Sequence, residues 1–194
     1  MRVIGADLSL TSTGLALINN GHFEATANFK SKGKRGDGYP EWCRRIEAMS
    51  TDVTRKLNLW WVLEAVDLLV IESPSHGSTF GNPHERAGLW WDVYRWAFDK
   101  EIPVATVAPA TRAKYLTGSG RSDKKVVLAH AIERYVQLDT PRITNDDIAD
   151  AVGLADMGAR WLGEPLVPDE LMPAANMESM KGAKWPSKAS APTS

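Results

Sequence analysis

Cysteine occurs once in the 194 residues, at Cys43, so no disulfide can form within the chain and a reducing, cytosolic setting is expected. No apolar run approaches the ~20 residues that a bilayer-spanning helix needs, which excludes that class of membrane anchor. Asp7 comes too soon for a secretory leader to be expected. No internal repeat is present. Charge of one sign is not in excess either: the formal net charge is -1, which neither advertises nor rules out a nucleic-acid partner. What remains is an ordinary globular composition, 43% hydrophobic and 24% charged, long enough for one domain with a sizeable core.

The distribution of charge says more than its sum. Between Arg112 and Arg134 stand Arg112, Lys114, Arg121, Lys124, Lys125 and Arg134, opposed only by Asp123 and Glu133. That is a local basic segment in a neutral protein, suited to neutralising phosphates without reading sequence, although a solvated helix face is the simpler account of Arg134.

Hydrophobic periodicity divides the chain. "RVIGAD", "TGLALINN" and "GHFEATANFK" read as three consecutive antiparallel strands, with Asn19, Asn20 and Gly21 as a turn. "KSKGKRGDGY" is a glycine-rich, basic and mobile loop. Residues 40–65 carry apolar positions at helical spacing: Trp42, Ile46, Met49, Val53 and Leu57. "AVDLLVIE" and "IPVATVAP" are short continuous apolar runs, as in buried central strands. "RAGLWWDVYRWAFDK" lies between them as a helix that is apolar nearly all round. Further helices are expected at about 110–117, 123–137 and 145–162. Residues 164–194 lose periodicity and gain Pro, Ser and Ala, which reads as a C-terminal tail, flexible or draped on a body formed by residues 1–163. This order predicts an α/β fold with a mixed five-stranded sheet, three antiparallel strands followed by parallel ones, flanked by helices.

Acids stand where such a sheet has least use for them. Asp7 closes the first strand and Glu72 closes the fourth. Each alone is explained as a turn acid or as a strand reaching water. "TNDDIADAVGLA" is harder to explain. Thr144 or Asn145 can cap a helix and acids suit its first turn, but Asp150 sits on the side that should pack. Asp147 and Asp150 share a face at i, i+3, and Asp146 and Asp150 at i, i+4. Like charges so placed call for something positive between them. Hard divalent cations take oxygen ligands from a few carboxylates, and two of them about 4 Å apart can hold both the attacking and leaving oxygens of a phosphodiester.

"GADLSLTSTGLAL", "LLVIESP", "VAPATRAKYLTGSGRSDKKVV" and "NDDIADAVGLA", in that order over residues 2–162, resemble the RuvC-type Holliday junction resolvases of the RNase H-like (retroviral integrase-like) superfamily. The resemblance implies that Asp7, Glu72, Asp147 and Asp150 are catalytic and bind metal, Mg²⁺ or Mn²⁺, two ions per site. Asp147 is preferred to its alternative Asp146 because "DIAD" keeps the Asp-x-x-Asp spacing. It also implies a DNA-contacting lysine at Lys124, with Arg121 and Lys125 beside it. A second family lysine falls in register on Ala113, so Arg112 or Lys114 takes its place. Phe80, in a loop longer than usual for the family, becomes the candidate wedge into a junction, and Leu8-Ser9 replaces the family's Pro-Gly. His76 and His84 in or near the same loop read as solvated rather than as metal ligands.

The expected activity is a metal-dependent endonuclease that resolves four-way DNA junctions by paired nicks leaving 5′-phosphates. The expected partner besides branched DNA is a second copy of the chain, through the "LWWDVYRWAF" helix, and the expected setting is the cytoplasm, for a bacterial or phage-encoded protein. Three other readings stay open: a broader nuclease of forks and flaps on the same fold, a non-catalytic binder of branched DNA, and a phosphate loop at "DLSLTSTG". The last lacks the second phosphate loop and the longer two-lobed chain that actin-like ATPases and sugar kinases need.

Overall fold

The computed structural model describes residues 1–74, 83–138 and 143–187. Five strands, β1 (Arg2–Asp7), β2 (Ser12–Asn19), β3 (His22–Lys30), β4 (Leu68–Glu72) and β5 (Val104–Val107), form one sheet in the order β3-β2-β1-β4-β5. β1, β2 and β3 are an antiparallel meander, turned at Asn20 and Gly21, which both take positive φ as a tight hairpin requires. β4 lies parallel to β1 and β5 parallel to β4. The expected mixed sheet is therefore present, with the first strand at its centre.

Among the described residues there are six α-helices: α1 (Tyr39–Leu63), α2 (Pro83–Phe98), α3 (Pro109–Thr117), α4 (Lys124–Tyr135), α5 (Asp146–Leu162) and the short α6 (Ala174–Glu178). Strand periodicity of two decides which side each covers. Ile4, Leu15, Leu17, Leu69 and Ile71 point to one face, where α1 and α2 bring Val53, Leu57, Leu89 and Val93. Val3, Ala16, Ile18, Leu68 and Val70 point to the other, under α5 with α3 and α4 outside it. Both faces are covered, so the central strands read as unbroken apolar runs.

α5 lies against the sheet at backbone distance. A Cβ on Gly14 would overlap the carbonyl oxygen of Asp147, and one on Gly5 would overlap that of Ala151. A Cβ on Gly158 would instead crowd the side chains of Val3, Leu68 and Val70. Glycines here are spacers that let an entire helix sink onto the strands.

α2 is not enclosed on every side: Leu89, Val93, Trp96 and Ala97 are buried, but Trp91 is 57% and Phe98 72% exposed. Its outer stripe faces away from α1 and the sheet, so an apolar sequence does not by itself mean complete burial. The residues after Gly163, as far as Ser187, lie draped on the body. Leu166 and Met172 are buried, Trp185 stacks on Trp161 at 5.5 Å, and Lys184 pairs with Thr106 at the edge of β5. Isolated anchors on an irregular backbone leave no period in the sequence. Among the described residues no helix is long and apolar enough to cross a membrane.

Candidate active site

β1 and β4 run parallel, with Ala6 beside Ile71, so their next residues, Asp7 and Glu72, emerge at the same edge of the sheet. Across the β1–β2 pair Asp7 stands opposite Gly14, and Gly14 carries the first turn of α5. That double contact brings Asp147 to the end of β1. Asp150, one turn later on the same helix face, follows Asp147 inward.

Helix register separates neighbouring acids. Asp147 is 8% and Asp150 2% exposed. The Ser12 hydroxyl donates to Asp147, and the Asn28 amide donates to Ser12 at 3.2 Å and to the Thr13 carbonyl at 3.0 Å. Asp146 turns outward and accepts from Lys124 Nζ at 2.8 Å. That bond holds the Asp146 carboxyl below the usual range. Partial burial works against the charge on Lys124, but the same Asp146 contact leaves it above its ordinary value. Asn145 is the helix cap, its side chain accepting from Ile148 N at 3.0 Å, so Asp147 is free of a capping role.

Asp7 carries the electrostatic strain of the cluster. Burial, then the nearby Glu72 and Asp147 carboxylates, raise its pKa from 3.8 to about 7, against the opposing pull of Arg112 and Lys124. Arg112 is the unexpected member. It is buried, donates through Nε to Glu72 at 2.6 Å and through Nη1 to Asp150, and so bridges two of the four acids. The Glu72 carbonyl accepts from Trp90 Nε1 at 3.0 Å, which fastens the end of β4 to α2.

Among the described residues no three Asp, Glu, His or Cys side chains are already grouped as metal ligands. Glu72 and Asp150 are turned to Arg112, and Asp147 to Ser12. The donors are all oxygen, they stand on three elements around one point, and their charge is only partly met by Arg112. Such a set suits a hard divalent cation.

The remaining candidates are scattered. Lys124, Lys125 and Arg121 are exposed at and before the start of α4, with Lys124 nearest the acids. Lys114 pairs with Glu178 at 3.0 Å, outside the cluster. His84 is exposed at the start of α2. Phe80 and His76 lie outside the described residues. Sequence reasoning passed over Ser12 and Asn28. The "TST" before Gly14 was a signal for Ser12, but nothing local marks Asn28, which reaches the site only through the β2–β3 register.

No protein-family model matches the chain. Crossover junction endodeoxyribonuclease RuvC of Synechococcus sp. (strain WH7803) is 28% identical over 159 residues, 81% of this chain and 97% of that protein. A 45-residue stretch is 49% identical to telomeric repeat-binding factor 2-interacting protein 1 of Mus musculus, but it spans 23% of this chain and only 11% of that protein, too little to carry the sheet. Among solved structures, T. thermophilus RuvC in complex with Holliday junction substrate has a TM-score of 0.61 at 16% identity, covering 84% of this chain and 98% of its own. The Fowlpox virus resolvase complexed with substrate Holliday junction DNA has a TM-score of 0.55 at 15% identity, covering 84% and 99%. The chain thus resembles RuvC in sequence along most of its length, and it shares the RNase H-like fold of these structures.

Proposed function

We propose that this chain is a metal-dependent, structure-selective DNA endonuclease that resolves four-way junctions by paired nicks. The observation that carries the reading is the convergence of Asp7, Glu72, Asp147 and Asp150 from two parallel strand ends and one helix at one edge of the sheet. The likeness to RuvC, and to resolvase folds seen with Holliday junction DNA, supplies the substrate class.

Asp7, Glu72, Asp147 and Asp150 supply the oxygen ligands for Mg²⁺ or Mn²⁺, two ions being the number proposed. A metal held by these acids would neutralise charge on the attacked phosphate and would lower the pKa of a bound water. The protein's own groups do the positioning. Ser12, backed by Asn28, fixes the direction of Asp147. Arg112 holds Glu72 and Asp150 together against their repulsion. Lys124, with Arg121 and Lys125 at the same end of α4, takes phosphates beside the cut, and Phe80 remains the candidate wedge. Backbone contacts of this kind position DNA without reading its bases, so selection falls on junction shape. A homodimer through the outer face of α2, where Trp91 and Phe98 stand a heptad apart, sets two such sites on a two-fold junction. We place the reaction in the cytoplasm and take the protein to be bacterial or phage-encoded, acting on DNA.

The test is cleavage of labelled four-way junction, replication fork and linear duplex in Mg²⁺, Mn²⁺ or EDTA, by wild type, Asp147→Asn and Asp146→Asn. Symmetric, EDTA-sensitive nicks in the junction, lost in Asp147→Asn and kept in Asp146→Asn, are expected. Junction binding without cutting under every metal would make the protein a recognition factor on a nuclease fold.

A further inference from the structure

The loop "KSKGKRGDGY" takes no part in the site described above, yet it forms one wall of a cleft of about 450 Å³. The other walls are the β1–β2 turn at Ser9–Thr11, the first turns of α1 and the start of α2. Lys32, Lys34, Arg35, Arg45 and Arg86 line it, with Trp42. We infer that this cleft is a second DNA-backbone site, which takes the phosphates of the strand leaving the acidic cluster on its Glu72 side. The inference rests on the nuclease reading and extends it to a surface on the opposite flank from Lys124.

Charge accounting within the protein is the first argument. Among the described residues, none of the five cations has a carboxylate partner. Arg112, Lys114 and Lys124, by contrast, each hold an acid. The loop's own acid, Asp37, accepts from the backbone N–H of Lys34 at 2.7 Å and does not line the cleft. Five like charges around a concavity repel one another and concentrate anions there.

Preorganisation is the second. Arg45 is half-buried, donates through Nε to Ser31 Oγ at 2.8 Å and through Nη2 to the Leu10 carbonyl at 2.9 Å, and lies over the Trp42 ring at 5.0 Å. It thereby ties the basic loop to the turn that follows Asp7. Lys32, Lys34 and Arg35 are exposed around this fixed guanidinium.

Continuity with the acids is the third. Arg86 also lines the adjoining cleft, with Leu8, Glu72, Ser73 and Trp90. A strand whose phosphate lies at Glu72 therefore meets Arg86 next and then the basic cleft. The acidic cluster would sit between two cationic flanks, the start of α4 on one side and this cleft on the other. Contacts to phosphate oxygens carry no base information, so binding in this cleft is independent of sequence.

Binding of fluorescent four-way junction and linear duplex is measured in EDTA over 50–300 mM salt, with the full chain. Lys32→Ala/Lys34→Ala/Arg35→Ala is compared with wild type and with Arg55→Ala/Lys56→Ala/Arg95→Ala, which removes the same charge from helix surfaces outside the cleft. The loop triple variant is expected to bind about ten-fold more weakly near 100 mM salt, with a log–log salt slope shallower by roughly two, while the control keeps the wild-type slope. Its melting temperature should match wild type, since the three side chains are exposed. Equal affinity and slope for wild type and the loop variant would overturn the inference and leave the nuclease reading intact. An equal loss in the control would overturn it too, by reducing the effect to bulk charge. A wild type that binds no DNA would overturn both readings.

Discussion

The carbonyl of Asp147 occupies the space a side chain on Gly14 would need, and Gly14 is the cross-strand partner of Asp7. One glycine therefore sets how closely the helix acids approach the strand acid. Substituting Gly14 by Ala pushes Cβ into backbone, which no side-chain rotation relieves. Gly14→Ala is expected to lose on the order of 3 kcal/mol in denaturant unfolding, the upper end of overpacking costs, and to lose junction cleavage beyond the unfolded fraction. A variant of normal stability and activity would mean that α5 does not depend on this contact.

Asp7 predicts a pH dependence of metal-free stability. Its pKa is about 7 in the folded protein against 3.8 for an unperturbed carboxyl, so between these values the folded state keeps a proton that the unfolded chain has released. Stability therefore falls as pH rises from about 4 to about 7 and levels off above. Asp7→Asn removes the loss. In EDTA the variant should be more stable than wild type by on the order of 2 kcal/mol at pH 8, discounted for the partial exposure of Asp7, and the gap should shrink towards pH 5. Unfolding curves at the two pH values decide it, and no gap at pH 8 would mean that Asp7 ionises freely.

Arg112 predicts a link between metal and stability. Arg112→Gln leaves Glu72 and Asp150 close together without their shared counter-charge. The metal-free variant should lose roughly 3 kcal/mol, as when one partner of a buried pair is removed, and added Mg²⁺ should stabilise it more than it stabilises wild type. Thermal melts with and without Mg²⁺ read this out. An unchanged metal-free melt would show that the bridge is solvated and inconsequential.

Asp156 tests a purely structural acid on the same helix. It is fully buried and accepts from the hydroxyls of Tyr115 at 2.7 Å and Tyr135 at 2.8 Å and from Leu166 N at 2.8 Å. Burial first, then the Asp156 charge, raises both tyrosines well above their usual range. Asp156→Ala strands three donors and should cost roughly 3–5 kcal/mol, without changing the metal dependence of whatever folded protein remains. A mild effect in urea unfolding would mean that the network re-forms around water.

Local chemistry made most of the fold legible. The short apolar runs of β1, β2 and β4, the turn at Asn20–Gly21 and the helical spacing of α1 and α5 are properties of neighbouring residues, which a sequence displays directly. The acids were legible for the same reason: Asp7 and Glu72 stand where an apolar strand ends, and Asp147 and Asp150 share one face by helical spacing alone. Arg112 was visible as a basic residue and a candidate DNA contact, not as a partner of the acids. Its place among the carboxylates depends on β5 lying beside β4, so that α3 begins next to Glu72, and no feature within "VAPATR" states that adjacency.

The sequence by itself therefore determined the elements and their order, because each follows from contacts a few residues apart, and it singled out the four acids through the resemblance to RuvC-type resolvases. Tertiary structure alone decided which cation sits among those acids, that Asp146 turns to Lys124 while Asp147 turns to Ser12, and that the loop after β3 walls a basic cleft which shares Arg86 with the one beside Glu72. Those outcomes depend on strand order and on how deeply α5 sinks at Gly5 and Gly14, and they join residues as far apart as Ser12 and Asp147, whose nearness is a property of the packed sheet rather than of any segment.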